Sequence, residues 1–87
     1  MKIALDYDGT YTKDPQLWDQ FIALARKREH EVIIVTQRIK DEEYEQITMN
    51  YSIPIHYTAR RPKIWSKLDV DIWIDNNPYD IVGYPDG

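Results

Sequence analysis

Two aspartates stand two residues apart in Asp6-Tyr7-Asp8-Gly9-Thr10, directly after the apolar run Ile3-Ala4-Leu5. Gly9 closes the segment, and its missing side chain lets the backbone turn sharply. A third carboxylate, Asp75, ends another strand-like stretch, Val70 to Ile74, and is followed by Asn76-Asn77-Pro78. Carboxylates gathered in one crevice repel, and one stays protonated unless a cation intervenes. Oxygen ligands with no His or Cys among them suit a hard ion such as Mg²⁺. An ion held this way recruits phosphate oxygens, and an aspartate beside it can attack phosphorus to form an aspartyl-phosphate.

Distant residues can meet only if the elements between them bring them together. Lys2 to Leu5 reads as a strand. Asp14-Pro15 is a helix start, an N-cap acid with proline at the first helical position. Leu17, Phe21, Leu24 and Arg28 recur at helical spacing, with Trp18, Ile22 and Ala25 widening the stripe, so a helix is predicted over 15–29. Val32-Ile33-Ile34-Val35 suits a strand buried on both faces, as in a parallel sheet. A second helix is predicted over 40–49, with Tyr44 and Ile47 inward. Pro54 to Tyr57 is acceptable as a strand near a sheet edge. Pro62 opens a short helix carrying Lys63, Ile64, Lys67 and Leu68, and Val70 to Ile74 is the last strand.

The alternating order of strands and helices predicts an α/β fold. It is a small parallel sheet in a three-layer α/β/α arrangement, a single domain over 1–87. Ligands of such sheets bind outside the carboxyl ends of the strands. Asp6, Thr36, Thr58 and Asp75 therefore belong to one rim.

Composition narrows the partners. The chain has 87 residues, 15 acidic and 11 basic side chains, and a net charge of −4, which gives no general attraction to nucleic acid. It has no cysteine, so thiolate metal sites are excluded. No apolar run is long enough to cross a bilayer and no signal-peptide layout opens the chain, so a cytoplasmic location is expected. Three Trp and seven Tyr are expected to fill a thin core or seal a subunit contact.

At this point the residues resemble the haloacid dehalogenase superfamily. Asp6-Tyr7-Asp8-Gly9-Thr10 is similar to its first signature, Asp-x-Asp-Gly-Thr. Val32 to Thr36 resembles the second, an apolar strand ending in Thr or Ser. Lys63 resembles the lysine of the third, and Ile72-Trp73-Ile74-Asp75-Asn76 the fourth, a strand ending in an acidic pair. The order is the family's, over about residues 2–80. The resemblance implies Asp6 as nucleophile and metal ligand, and Asp8 as general acid, then base, with its carbonyl on the metal. It implies Thr36 as a hydrogen-bond donor to phosphoryl oxygen, and Lys63 as the neutraliser of the phosphoryl group and Asp6. Backbone N–H groups in the 7–10 loop would complete an anion cradle. Lys67 is the alternative lysine, one helical turn further from the rim.

Where many relatives have a second acid, this chain has Asn76. Phosphatases of the RNA polymerase C-terminal domain carry Asp-Asn-x-Pro here, which Asp75-Asn76-Asn77-Pro78 resembles. That implies Asn76 on magnesium with Asp75 beside it, either of the pair being the direct ligand. The metal set is thus Asp6, Asp8, Asp75 and Asn76.

Other residues have plainer explanations. Trp65 and Trp73 are expected in the core. His30 suits a helix C-terminus, and His56 has no second His nearby. Tyr11 and Trp18, just after the first signature, are placed to touch a leaving group. There is no room for a cap domain between Thr10 and Asp14 or between the second and third signatures. The site should be open unless a homo-oligomer covers it.

The resemblance implies a capless, magnesium-dependent phosphohydrolase acting on a phosphorylated substrate of unspecified class. Nucleic acid is disfavoured by charge, although phosphorylated ends remain possible substrates. The rival readings are a catalytically weak binding module and a phosphotransferase. A two-component receiver domain is set aside because its phosphorylated Asp follows the third strand.

Overall fold

In the computed structural model, which describes residues 1–85, four strands form one all-parallel sheet. They are β1 (Lys2–Leu5), β2 (Glu31–Thr36), β3 (Ile55–Tyr57) and β4 (Ile72–Ile74), in the order β3-β2-β1-β4. The register aligns Leu5 with Ile34 and with Ile74, so β1, β2 and β4 reach the rim together. The chain steps outward from β1 to β3 and then crosses to place β4 on the other side of β1. The strand order thus reverses at β1, the place where open α/β sheets bind ligands.

Alternation along the central strands supplies two apolar faces. Leu5, Val32 and Ile34 point one way and Ala4, Ile33 and Val35 the other, all buried. Helix α1 (Pro15–Lys27) covers the first face with Ile22 and Ala25, assisted by Trp18 and Phe21. Its start is the one predicted, with the Asp14 carboxylate accepting from the Leu17 N–H at 3.2 Å and Pro15 following. It ends earlier than predicted. Glu29 takes a left-handed φ of 67° and the His30 N–H donates to the Ala25 carbonyl, a six-to-one bond that closes the helix. Leu17 and Leu24, expected inward, are exposed. The buried stripe is Trp18, Phe21, Ile22 and Ala25, which leaves those leucines on the flank.

The helix predicted over 40–49 is absent. Only a 3-10 turn, Glu43–Glu45, forms there, and Tyr44 is exposed while Glu45 is buried. Beyond it Ile47, Met49, Tyr51 and Ile53 pack on the first face at every second position, the period of extended chain rather than helix. Arg60 and Arg38 draw the Glu45 carboxylate inward, against the expected inner face. Pro62 likewise opens a 3-10 turn, Lys63–Ser66, with Lys67 left-handed at φ 56°.

On the second sheet face Leu68 and Val70 pack beside Trp73 of β4 against Ala4, Ile33 and Val35. A short helix α2 (Pro78–Val82), unforeseen in the sequence, follows β4 and packs against the Lys63–Ser66 turn. Its signal was legible: Asn77-Pro78 repeats the cap-then-proline pattern of Asp14-Pro15, and the Asn77 side chain accepts from the Tyr79 N–H. Among the described residues, no helix is long and apolar enough to cross a membrane.

Candidate active site

The rim carries two unlike halves. In the first, the Lys63 ammonium lies 2.7 Å from Asp6 Oδ1 and 2.5 Å from Asp75 Oδ2. These three side chains are 1%, 8% and 1% exposed, so water screens the charges little. Asp6 is fixed by the ladder, its N–H donating to the Ile74 carbonyl at 2.9 Å. Pro62 and the 3-10 turn direct Lys63 inward. Lys67, the alternative lysine, makes no ion pair among the described residues; it is Lys63 that reaches Asp6.

Thr10 and Asn76 complete this half. The Thr10 hydroxyl donates to Asp6 Oδ2 at 2.9 Å and accepts from the Asn76 N–H at 3.2 Å. Asp75 Oδ1 accepts from the Asn77 N–H at 3.0 Å. Gly9 is required here twice over. Its φ is 83°, and a Cβ on it would lie 2.7 Å from the Asn76 amide nitrogen. Burial pushes the Asp6 carboxyl above its ordinary value, against the opposing pull of Lys63. Two carboxylates sharing one ammonium leave a surplus negative charge.

The Asn76 amide faces the two acids. With its nitrogen turned toward the acids it donates to Asp6 Oδ2 at 2.9 Å and Asp75 Oδ1 at 3.3 Å. The surplus charge on the triad favours a cation nearby. The convergence of three carboxylates does not occur, because Asp8 turns elsewhere. Among the described residues, no group of three or more His, Cys, Asp or Glu side chains is arranged to hold a metal.

The second half is exposed. Arg38 grips Asp8 through two bonds, Nη2 to Oδ1 at 2.7 Å and Nε to Oδ2 at 2.8 Å. The Asp8 side chain is 54% exposed and that of Arg38 20%. The guanidinium also lies 5.1 Å over the Tyr7 ring. Hydrogen bonding from Arg38 holds the Asp8 carboxyl below its ordinary range, and Asp8 in turn raises Arg38. Buried Glu45 pairs with Arg60 and approaches Arg38 Nε at 3.8 Å.

Thr36 is buried at the end of β2, and its hydroxyl accepts from the Arg38 N–H at 3.2 Å. The cradle expected of the 7–10 loop is partly spent. The Gly9 N–H donates to Thr12 and the Thr10 N–H to the Tyr7 carbonyl. Tyr11 is buried, its hydroxyl donating to Asp19 at 2.6 Å, and burial with that acceptor pushes its pKa up to about 12. Arg38 was missed in the sequence. Its only signal was a cation two residues past the strand-ending Thr36, which does not announce a partner thirty residues back. Trp65, expected in the core, is 64% exposed.

Comparison of the chain with family models, with curated proteins and with solved structures finds no match in any of the three.

Proposed function

We propose that this protein is a magnesium-dependent phosphohydrolase of the haloacid dehalogenase type, acting on a phosphomonoester through Asp6. The observation that carries the reading is the buried ammonium of Lys63 between Asp6 and Asp75 at the point where the strand order reverses. A purely structural ion pair needs one carboxylate; a second, with Thr10 and the Asn76 amide on the carboxylate oxygens that Lys63 leaves free, gathers negative charge at the rim where open α/β sheets bind ligands. The scaffold is read as a reduced α/β/α sandwich, with the Lys63–Ser66 turn and α2 standing for the second helical layer.

Magnesium would be held by Asp6, Asn76 and the Asp8 carbonyl, with Asp75 beside it, and when bound it supplies positive charge to the phosphoryl oxygens. The chain's own groups do the rest. An Asp6 oxygen attacks phosphorus and the bond to the leaving oxygen breaks. That oxygen takes a proton, assigned to Asp8. Water deprotonated by Asp8 then attacks the phosphorus, and Asp6 is released with inorganic phosphate. Lys63 stabilises the negative charge that builds on the phosphoryl group, and Thr36 is assigned a hydrogen bond to it. Asp8 can carry a proton only after Arg38 lets it go, since the pair as it stands favours the anion.

Two measurements test this. Purified protein with magnesium should release phosphate from a generic aryl phosphate, and Asp6→Asn should lower release by about 10⁴-fold or more. Equal inertness of both proteins would leave the binding-module reading standing, and phosphate passed to alcohols would indicate a phosphotransferase. Magnesium alone should raise the melting temperature, and Asn76→Ala should remove that rise.

A further inference from the structure

The turn that carries Lys63 leaves two large apolar side chains uncovered. A 3-10 helix has three residues per turn, so Lys63, held inward by Asp6 and Asp75, sends Ile64 and Trp65 outward. Helix α2 packs against this turn and adds Tyr79 and Val82, three residues apart on one helical face. Tyr84 stacks on Tyr79 at 5.1 Å and 19°, and the Asn77 amide donates to its hydroxyl at 3.2 Å. Ile64, Trp65, Val82 and Tyr84 are each more than half exposed, and Tyr79 is 46% exposed.

This surface has relief and charge as well as apolar area. Trp65 and Pro62 border two grooves, so the indole forms the ridge between them. The larger, of about 370 Å³, runs between Trp65 and the stacked tyrosines and is also lined by Asp80. The smaller, of about 250 Å³, is lined by Tyr57 and Arg61. Arg60 is already spent on Glu45, but neither Arg61 nor Asp80 has an ion-pair partner among the described residues. One unpaired cation and one unpaired anion therefore flank the exposed tryptophan.

We propose that the chain forms a two-fold homodimer through this face. Trp65 of each copy enters the larger groove of the other, and Arg61 pairs with Asp80 of the partner subunit. Charge complementarity selects this occupant. A partner of one sign satisfies one of the two unpaired groups and is repelled by the other. A second copy related by a two-fold axis satisfies both, because residue i then meets j and j meets i. The area also suffices. A standard interface buries about 800 Å² per partner, roughly two-thirds of it apolar in homodimers. At about 150–250 Å² for each aromatic side chain, the uncovered parts of Trp65, Tyr79 and Tyr84 amount to roughly 250–430 Å². Ile64 and Val82 extend the patch toward the full apolar share. Trp, Tyr and Arg are also the residue types that carry most binding energy at such contacts. The dimer does not depend on the phosphohydrolase reading, and its test needs no activity.

Sedimentation equilibrium of the full chain is the experiment. Wild type should be dimeric at about 100 μM, a concentration that reveals any Kd of micromolar order. Trp65→Ala should weaken the dimer by about 30-fold or more, the worth of an interfacial hot spot. Arg61→Asp and Asp80→Arg should each sediment as monomers at that concentration, since two like-charge contacts replace two attractive ones. Mixed in equal amounts, those two variants should pair as a heterodimer, because each supplies the charge the other lacks. Both reversals in one chain should restore the homodimer, which also excludes misfolding as the cause of the single-variant losses. A wild-type chain that is monomeric at about 100 μM overturns the proposal, as does a dimer that Trp65→Ala or either single reversal leaves intact. Failure of the two reversed variants to associate when mixed overturns it too, and so does growth into open-ended assemblies in place of a closed pair.

Discussion

Asp6 and Asp8 are separated by one residue and share a loop, yet they live in opposite surroundings. Asp6 is buried at the end of a central strand, shares one ammonium with a second acid, and has its carboxyl pushed up by the loss of water. Asp8 faces solvent, is gripped by a guanidinium through two bonds, and has its carboxyl pulled down. The partner cations follow the same division. Lys63 is enclosed, whereas Arg38 stays within reach of water. Identical side chains are thus given different charge behaviour by burial and partner alone, one enclosed and fixed, the other open to exchanging its partner.

The contrast breaks most readily at Lys63. Lys63→Met leaves two buried carboxylates with no cation, and removal of one partner from a buried pair costs about 3–5 kcal/mol. For a domain of this size each kcal/mol is worth roughly 4–8 °C, so the melting temperature should fall by about 12 °C or more. A melt within a few degrees of wild type would show that the triad is not held as described. Next in size is Asp8→Asn, which should reduce turnover by about 10²–10⁴-fold while the fold melts normally. An unaltered rate would remove Asp8 from the chemistry.

Asp6→Asn sharpens the comparison through pH. Because its folded pKa is raised, Asp6 contributes most favourably below its unfolded value of 3.8, and that contribution is lost as pH rises through the folded value. In chelator, Asp6→Asn should therefore melt above wild type at pH 7, by a margin that shrinks toward pH 4. Melting curves at the two pH values check the sign, and a margin that instead grows in acid refutes it. The smallest effect belongs to the exposed half. Arg38→Ala should cost about 1 kcal/mol or less, with the loss fading in high salt, as expected of a pair whose carboxylate faces water. It should also raise the pKa of Asp8, which carbon-detected titration of the carboxyl would report.

The strands, the α1 start and the clustering of Asp6, Lys63, Asp75 and Asn76 were legible because each rests on local chemistry or on topology. Val32 to Val35 can only be a buried strand, and Asp14-Pro15 can hardly be anything but a helix start. The parallel order then forces the strand-ending residues to one rim. The failures share a different cause. The residues over 40–49 have composition that suits a helix, but Glu45 is captured by arginines that lie elsewhere in the chain, and the following apolar residues alternate instead of turning. Trp65 was assigned to the core by type, yet whether a tryptophan is covered depends on what the fold sets against it.

From its order of residues alone, this protein was bound to form a parallel sheet with acids and a lysine at one margin, since strand period and crossover handedness act over short stretches. The tertiary structure alone decided that Arg38 takes Asp8, that Glu45 is drawn in by arginines in place of a helix over 40–49, and that Trp65 is left uncovered. Each of those outcomes depends on distances between segments that touch only after folding, and on the burial that sets how strongly their charges are felt.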